Sequence, residues 1–287
     1  MSGEPIRQVA VLGAGTMGHG IAQAAAQAGL EVCLVDPDEG ALEGGFRQIR
    51  RNLDEGVARG KVSESERAES LARLRGRTDI ETSARTADLV IEAVPERFDL
   101  KVQVFLAVQG VAPEHAILAS NTSSLSITAL QRSLERPARV IGLHFFNPVH
   151  IMRLVEVVRG EDTDAAVVEA ATAFARRLGK EPIVVKDSPG FASSRLGVAL
   201  GLEAMRMLEE GVASAEDIDR AMELGYRHPM GPLRLSDLVG LDVRLGIAEH
   251  LHEQLGERFR PPEILRRLVG EGKLGRKTGE GFYRWEE

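Results

Sequence analysis

A glycine-rich segment near the start of the chain constrains the fold more than any other feature. Residues 9–36 read VAVLGAGTMGHGIAQAAAQAGLEVCLVD, in which Gly13, Gly15 and Gly18 have the spacing Gly-x-Gly-x-x-Gly between two apolar runs. In a strand–turn–helix unit, the first glycine allows a tight turn, the second lets a pyrophosphate approach the backbone, and the third lets the helix pack on the sheet. The segment therefore predicts an α/β domain that binds a dinucleotide at a helix N-terminus.

The residue that ends this segment indicates which dinucleotide is bound. Asp36 follows the run EVCLV, at the position where an acidic side chain can bind the adenosine ribose hydroxyls. Its carboxylate would repel a 2′-phosphate, so NAD is expected rather than NADP. The simpler alternative is that Asp36 only caps the turn that follows the strand.

Short apolar runs alternate with helical patterns through the first two thirds of the chain: QVAVLG, EVCLVD, DLVIEAV, AILASN, RVIGLHF, LVEVVRG and PIVVKD. Such alternation predicts crossover units on a largely parallel sheet that is buried on both faces. After Asp187 no clear strand remains, and helical spacing with glycine stops continues to the end. We therefore expect an α/β domain over 1–186 and an all-helical domain over 187–287.

One segment interrupts the α/β rhythm. Residues 47–77 contain nine Lys or Arg and five Asp or Glu, so they carry +4, whereas the remainder of the chain carries −11. The segment is interpreted as a charged helical hairpin inserted between strands. A solvated helix pair is the simpler interpretation; the alternative is a surface for an anionic ligand such as a nucleotide diphosphate, with Arg59 and Lys61 as candidates.

Composition excludes several functional classes. The net charge of −7 disfavours a nucleic-acid-binding protein, and no run approaches the roughly 20 apolar residues that a membrane-spanning helix needs. The N-terminus lacks a signal-peptide pattern, so a cytoplasmic location is expected. Cys33 is the only cysteine, which excludes an intramolecular disulfide and a cysteine metal cluster, and we expect it in a buried strand. No metal site is predicted.

Two polar residues stand inside apolar runs and suggest a reaction. His144 lies between VIGL and FF, and Glu156 lies inside LVEVV. A buried carboxylate is costly unless it is paired, and oxidation of an alcohol by hydride transfer leaves a proton that a histidine can accept. We hypothesise that Glu156 orients His144 and stabilises its protonated form. The alternative is that His144 is a hydrogen-bonded core residue; a hydrolase is disfavoured because no nucleophile elbow is present.

Seven motifs, in order between residues 7 and 285, resemble the L-3-hydroxyacyl-CoA dehydrogenase family: GAGTMG, ASNTSSL, HFFNPV, LVEVV, DSPGF, HPMGP and GRKTGEGFY. The resemblance implies a doubly wound, Rossmann-like first domain and a helical second domain that binds substrate and forms a homodimer. It also implies the activity, which is reversible oxidation of a (S)-3-hydroxyacyl-CoA, such as 3-hydroxybutyryl-CoA, to the 3-oxoacyl-CoA with NAD.

The resemblance further implies roles for individual residues. His144 would be the acid/base, Glu156 its orienting partner, and Ser123 a hydrogen-bond partner of the reacting oxygen. Without the resemblance, Glu96, Lys101 and Lys277 would be interpreted as surface charges and Asn147 as a turn residue. The implied cofactor-binding set is Gly13, Gly15, Met17, Gly18, Asp36, Glu96, Lys101, Ser123, Asn147 and Lys277.

The segment PGFASSR departs from the family pattern. The family continues PGF with two apolar residues and Asn-Arg, so Ser194 stands where the asparagine reaches toward the reacting oxygen. A hydroxyl can donate one hydrogen bond but has a shorter reach than an amide. Ser188, before a proline, is predicted to cap the helix, with Ser193 and Ser194 in its first two turns.

Two other functions stay open at this point. A dehydrogenase of the crystallin-like branch of this family would oxidise a sugar acid such as gulonate, which needs no CoA surface. A protein that binds NAD without catalysis is the second alternative, and only the serine at position 194 motivates it.

Overall fold

A computed structural model describes residues 6–285, and the chain divides into two compact units with the boundary between Asp187 and Ser188. The sequence places that boundary one residue earlier. No helix within the described range is long and apolar enough to cross a bilayer.

The first unit is built on one eight-stranded sheet with the order β3-β2-β1-β4-β5-β6-β7-β8. All neighbouring strands are parallel except β6 and β7, which are antiparallel. The central strands are buried on both faces, as their continuous apolar runs require. The strands are β1 Gln8–Leu12, β2 Glu31–Val35, β3 Leu74–Arg77, β4 Leu89–Glu92, β5 Ile117–Ser120, β6 Val140–Phe145, β7 Leu154–Arg159 and β8 Glu181–Lys186.

Seven α-helices connect these strands, which confirms the expected Rossmann-like fold. Side-chain caps define several of their starts: Asp38 accepts from the N–H of Ala41, and Ser63 and Glu66 form a reciprocal capping box. Cys33 lies on a strand as expected, but it is only half-buried. The helices are α1 Gly18–Gln27, α2 Glu39–Ala58, α3 Glu64–Ala72, α4 Ile80–Ala84, α5 Phe98–Gln109, α6 Ile127–Gln131 and α7 Ala165–Arg177.

The charged insert differs from its prediction at both ends. Its first helix, α2, begins at Glu39 rather than near residue 47, and residues 74–77 form strand β3 instead of helix. The run LRGR has no β-branched or aromatic residue, so its sequence does not favour a strand. Tertiary contacts hold β3 instead. It pairs with β2 and packs against the Phe46 ring, which a Cβ atom at Gly76 would approach to 2.8 Å.

The second unit contains five α-helices, and within its described residues there are isolated β-bridges but no strand. The expected all-helical domain is therefore confirmed. Its core is formed by apolar side chains from all of these helices together with Phe259 and Tyr283. The helices are α8 Ser193–Glu209, α9 Ala215–Tyr226, α10 Pro232–Val239, α11 Leu241–Leu255 and α12 Glu263–Gly270.

The start of α8 corrects one prediction. Ser188 does not cap this helix, because residues 189–192 form a turn that the N–H of Phe191 closes on the Ser188 carbonyl at 2.8 Å. Gly190 and Phe191 have φ angles of 73° and 49°, which a right-handed helix excludes. Ala192 is the N-cap residue, and Ser193 and Ser194 are the first two helical residues.

Buried aspartates hold the C-terminal segment in place. Asp237 on α10 is fully buried and accepts from the N–H groups of Phe282 and Tyr283 at 2.9 Å and from the Trp285 indole at 3.0 Å. A Cβ atom at Gly281 would lie 2.2 Å from the Asp237 carboxylate. Three N–H groups at and just after the end of the GRKTGEGFY motif thus donate to one carboxylate, which holds this segment in place.

Asp219 has the same role at the start of α10. It accepts from the N–H groups of Leu233 and Arg234 at 2.8 and 2.9 Å and from the Tyr283 hydroxyl at 2.7 Å. Gly231 of the HPMGP motif lies so close to Asp219 that a Cβ atom there would clash at 2.2 Å. Both C-terminal motifs therefore have a structural explanation.

We expect Asp237→Ala to destabilise the helical unit by about 3 kcal/mol, because three buried donors lose their acceptor. Urea unfolding followed by the fluorescence of Trp285, the only tryptophan, measures this unit. Glu253→Ala removes an exposed carboxylate from the same unit as a control. A loss below about 0.5 kcal/mol in Asp237→Ala would contradict the assignment.

Candidate active site

The glycine turn between β1 and α1 has the geometry that the motif predicts. Gly13 has a φ of 100°, and a Cβ atom there would lie 2.7 Å from the Ala93 carbonyl oxygen. A Cβ atom at Gly18 would overlap the carbonyl oxygen of Gly13 at 1.7 Å. At Gly15, by contrast, a Cβ atom would meet no atom within 4 Å, so the backbone faces open space there.

This open space is lined by hydrogen-bond donors. Among residues 6–285, no acceptor lies within hydrogen-bond distance of the backbone N–H groups of Gly15, Thr16 and Met17. Met17 is the N-cap residue of α1, and its side chain packs on the core, so its backbone rather than its side chain faces the opening. Unpaired N–H groups at a helix N-terminus fit a pyrophosphate.

Asp36 lies at the end of β2, beside the glycine turn. Its Oδ2 accepts from the Ala14 N–H at 2.9 Å and its Oδ1 from the Asp38 N–H at 3.0 Å. The carboxylate therefore orders the glycine turn and the following turn, as the simpler interpretation expects. Each oxygen keeps a second lone pair, so the carboxylate can also accept from a ribose. These residues fit NAD.

The structure brings Glu96 and Ser123 together beyond the ends of β4 and β5. Glu96 Oε1 accepts from the Thr122 hydroxyl at 2.5 Å, from the Ser123 N–H at 2.9 Å and from the Ser123 hydroxyl at 3.3 Å. Burial opposes ionisation of Glu96, but the Lys101 ammonium and these hydrogen bonds outweigh it and lower the pKa of Glu96. An ionised Glu96 thus holds the segment that carries Ser123.

Lys101 is the fully buried centre of this arrangement. Its Nζ donates to Glu92 Oε1 at 2.7 Å and to the Val94 carbonyl at 3.3 Å, and it lies 3.1 Å from Glu96 Oε2. The surface-charge alternative for Lys101 is therefore wrong, since the side chain is 1% exposed. All three of its protons have partners within the protein, so Lys101 positions Glu96.

Glu92 is a buried acid of this cluster that sequence reasoning missed. It is fully buried at the end of β4 and also accepts from the Ser120 hydroxyl at 2.7 Å. Burial raises the pKa of Glu92 even though Lys101 opposes that rise. The signal was present, because Glu92 is an acid inside the apolar run LVIEAV, as Glu156 is in LVEVV.

His144 and Glu156 face each other across the antiparallel pairing of β6 and β7. The His144 Nδ1 lies 2.7 Å from Glu156 Oε2; His144 is 6% exposed and Glu156 is fully buried. A carboxylate at Nδ1 favours the tautomer with the proton on Nδ1, which makes Nε2 the basic nitrogen. The ring of Phe146 packs against the imidazole, with the two ring centres 4.5 Å apart.

Two asparagines complete this edge of the sheet. Asn147 follows β6 and is exposed next to the cis peptide bond with Pro148. Asn121, which the sequence analysis did not single out, accepts from the Phe145 N–H at 3.0 Å and ties the segment after β5 to the end of β6. These groups lie at the carboxyl ends of strands, where open α/β sheets bind their ligands.

Four further predicted site residues lie apart from this cluster or in the other unit. Arg59 caps the end of α2 and lies 3.9 Å from the Glu55 carboxylate, and Lys61 is exposed in the loop that follows. In the helical unit, Lys277 donates to both oxygens of Asp242 at 2.5 and 2.6 Å and lowers the pKa of Asp242. Ser194 is half-buried at the start of α8.

Lys101→Met should destabilise the first unit at pH 7 by about 3 to 5 kcal/mol, because buried carboxylates lose their cation. This loss of stability should be smaller at pH 5. Because the pKa of Glu92 is raised, Glu92 takes up a proton before the other carboxylates as the pH falls, and a neutral acid needs no cation. Urea unfolding followed by circular dichroism at both pH values measures this, with the exposed Lys186→Met as control. An equal deficit at both values would contradict the electrostatic cause.

Comparisons with known proteins agree with this fold. The family model described as "3-hydroxyacyl-CoA dehydrogenase, NAD binding domain" matches residues 8–188, and the one described as "3-hydroxyacyl-CoA dehydrogenase, C-terminal domain" matches residues 190–285. The two matches together span nearly the whole chain.

Individual relatives are similar over the same length. The chain is 44% identical to a "Probable 3-hydroxybutyryl-CoA dehydrogenase" of Bacillus subtilis over 98% of each chain. It is 43% identical to the mitochondrial "Hydroxyacyl-coenzyme A dehydrogenase" of Sus scrofa, over 98% of this chain and 92% of the relative. The crystal structure of a (S)-3-hydroxybutyryl-CoA dehydrogenase from Ralstonia eutropha has a TM-score of 0.94 at 44% identity, covering 98% of this chain and 100% of that one. This chain belongs to the 3-hydroxyacyl-CoA dehydrogenase family.

Proposed function

We propose that this protein is an NAD-dependent dehydrogenase that reversibly oxidises (S)-3-hydroxyacyl-CoA, with short chains such as 3-hydroxybutyryl-CoA, to 3-oxoacyl-CoA. The observation that carries the proposal is the buried pair of His144 and Glu156, 2.7 Å apart, in a sheet whose glycine turn fits NAD. The relatives from Bacillus subtilis and Ralstonia eutropha, whose names state this activity for 3-hydroxybutyryl-CoA, support it.

His144 carries the proton chemistry in this proposal. NAD, when bound, supplies the acceptor for the hydride from the substrate carbon. The basic Nε2 of His144 takes the hydroxyl proton, and the fully buried Glu156 carboxylate stabilises the imidazolium that results. In the reverse direction the same imidazolium returns the proton to the 3-oxo oxygen.

The remaining residues bind and orient. Ser123 hydrogen-bonds the reacting oxygen, and Glu96, held by Lys101, fixes the backbone that carries Ser123. Asp36 accepts from the adenosine ribose and disfavours a 2′-phosphate. The family resemblance supports Asn147 and Lys277 as cofactor contacts.

Two further assignments concern the substrate. Ser194 takes the position of the family's asparagine and donates a hydrogen bond to the substrate oxygen. Arg59 and Lys61 bind the CoA phosphates; both side chains are exposed, and the net charge of +4 in residues 47–77 supports this role.

His144→Gln should lower kcat for (S)-3-hydroxybutyryl-CoA by about 100 to 10,000 fold, because no base of suitable pKa replaces the imidazole. NADH affinity, measured by fluorescence titration, should stay unchanged. His115→Gln is a matched control, since His115 also pairs with a carboxylate, Asp88 at 3.1 Å, but before the start of β4 and far along the strand from the site.

Rates of NADH formation by the wild-type protein distinguish the proposal from its alternatives. It should form NADH with (S)-3-hydroxybutyryl-CoA much faster than with gulonate. A protein that binds NAD yet turns over no hydroxyacyl-CoA of any chain length would contradict the proposal and favour the non-catalytic alternative.

We also propose that the helical domain forms a homodimer and that the protein acts in the cytoplasm; the single cysteine is compatible with a reducing compartment. Large apolar side chains are 37–65% exposed on three helices of this unit, and such patches mark interfaces. They are Leu196 and Leu200 on α8, Leu235, Leu238 and Val239 on α10, and Val243 on α11.

Replacing Leu196 and Leu200 together by glutamate should convert a dimer into a monomer, because two charges would be buried in the interface. Light scattering coupled to size exclusion gives the mass directly. Leu106→Glu introduces a charge at an apolar side chain of the first unit that is about as exposed as Leu200, 45% against 44%, and should leave a dimer intact. A wild-type monomer would contradict the proposal.

A further inference from the structure

A buried lysine of the first unit holds the turn that follows β6. Lys180, between α7 and β8, is only 9% exposed, and its Nζ donates to the carbonyl oxygens of Val149 and Met152 at 2.5 and 2.9 Å. Both carbonyls belong to the Pro148 turn, residues 148–152, in which the Pro148 carbonyl accepts two backbone hydrogen bonds. One ammonium group thus connects the middle and the end of this turn.

The charge of Lys180 is solvated by this turn and by no acid. Among residues 6–285, no carboxylate lies within ion-pair distance of its Nζ, and burial lowers the pKa of Lys180. Lys101, also buried in the first unit, differs because two carboxylates lie 2.7 and 3.1 Å from its Nζ. A buried ammonium must exchange its water for specific partners. For Lys180 those partners are the two carbonyl oxygens, so its interactions serve the Pro148 turn.

A second contact fixes the turn to the helix that begins at the glycine motif. Val149 is the only buried residue of the Pro148 turn. A Cβ atom at Gly20 on α1 would lie 2.9 Å from the Cβ atom of Val149, so the turn packs on α1 only because residue 20 has no side chain. The turn is therefore held at two points, by packing on α1 and by Lys180.

The Pro148 turn borders the proposed NAD site. Asn147, which directly precedes the turn, lines a cavity of about 370 Å³ together with Thr16 and His19 at the N-terminal end of α1. Thr16 is one of the residues whose backbone N–H groups face the opening that fits the pyrophosphate. A displacement of the Pro148 turn would therefore move Asn147 relative to that opening.

We propose that Lys180 is a positioning residue for the cofactor, because its two hydrogen bonds to the Pro148 turn fix the place of Asn147 beside the glycine turn. This inference rests on the proposed dehydrogenase function and on Asn147 as a cofactor contact. A binding group displaced by about 1 Å can cost about 100-fold in rate. A side chain that does not touch NAD can therefore control how well NAD is held.

Lys180→Met tests this role, since it removes the ammonium and keeps most of the side-chain volume. The KM for NAD should rise about 10-fold, with a smaller change in kcat, because two hydrogen bonds from a charged donor are lost. Initial rates of NADH formation at saturating (S)-3-hydroxybutyryl-CoA give both constants. A variant that is only less stable would instead lose kcat through a smaller folded fraction and keep its KM.

A double-mutant cycle shows whether Lys180 acts through Asn147. Asn147→Ala alone should raise the KM for NAD about 10-fold or more, because an amide contact is lost. Adding Lys180→Met to Asn147→Ala should raise the KM no further, since the side chain that Lys180 positions is already absent. Two independent effects would multiply.

Controls separate this role from a loss of charge or of folding. Arg176→Met removes an exposed cation near the end of α7 and should keep the wild-type KM. The NADH dissociation constant, from fluorescence titration, does not depend on the folded fraction and should rise with the KM in Lys180→Met. If Lys180→Met yields no folded protein, Lys180→Gln, a shorter and uncharged donor, replaces it in the cycle.

Three outcomes would overturn the inference. The first is a Lys180→Met variant with an unchanged KM for NAD and unchanged NADH affinity. The second is a double variant whose KM is the product of the two single effects, and the third is an Asn147→Ala variant with the wild-type KM. None of these affects the proposed dehydrogenase activity, which fails only if no hydroxyacyl-CoA is turned over.

Discussion

The antiparallel pairing of β6 with β7 is the constraint on which the candidate site depends. Every other strand pair in the sheet is parallel. Only the pair of β6 and β7 therefore brings residues that are close in sequence, here twelve residues apart, directly opposite each other. The pairing register places His144 across from Glu156 near the end of β6, where both side chains are buried. A shift by one residue would send one side chain to the other face and leave the Glu156 carboxylate buried without a partner.

A second buried carboxylate shows how the same sheet edge is stiffened. Glu92 at the end of β4 and Glu96 beyond it share one lysine, and the two acids respond in opposite directions: burial raises the pKa of Glu92, while Lys101 and hydrogen bonds lower that of Glu96. The acid whose pKa is lowered is the one that accepts hydrogen bonds from Thr122 and Ser123. The group formed by Glu92, Lys101 and Glu96 is separate from the pair of His144 and Glu156, so the proposed positioning and proton-transfer roles fall to different side chains.

The sequence predicted what local patterns determine, and it failed where tertiary contacts decide. Seven of eight strands, the glycine turn and the helical second unit follow from periodicity and glycine spacing. Strand β3 was missed because LRGR becomes a strand only through pairing with β2. The start of α8 was misplaced because Ser188 and Pro189 form a good helix start locally, while the positive φ angles of Gly190 and Phe191 impose a turn. Lys101 was assigned by resemblance, since burial of a lysine has no local signature.

The helical unit also contains buried charged side chains, and they differ in whether they have partners. Asp219 and Asp237 are buried, and each accepts from three donors, so their charges are matched inside the chain and serve to fix the C-terminal segment. Arg244 is buried in the same unit, and its Nε has no such partner among residues 6–285. Because solvation of a charge must be replaced by specific partners, the two matched aspartates can stabilise the unit, whereas an unmatched buried charge costs free energy.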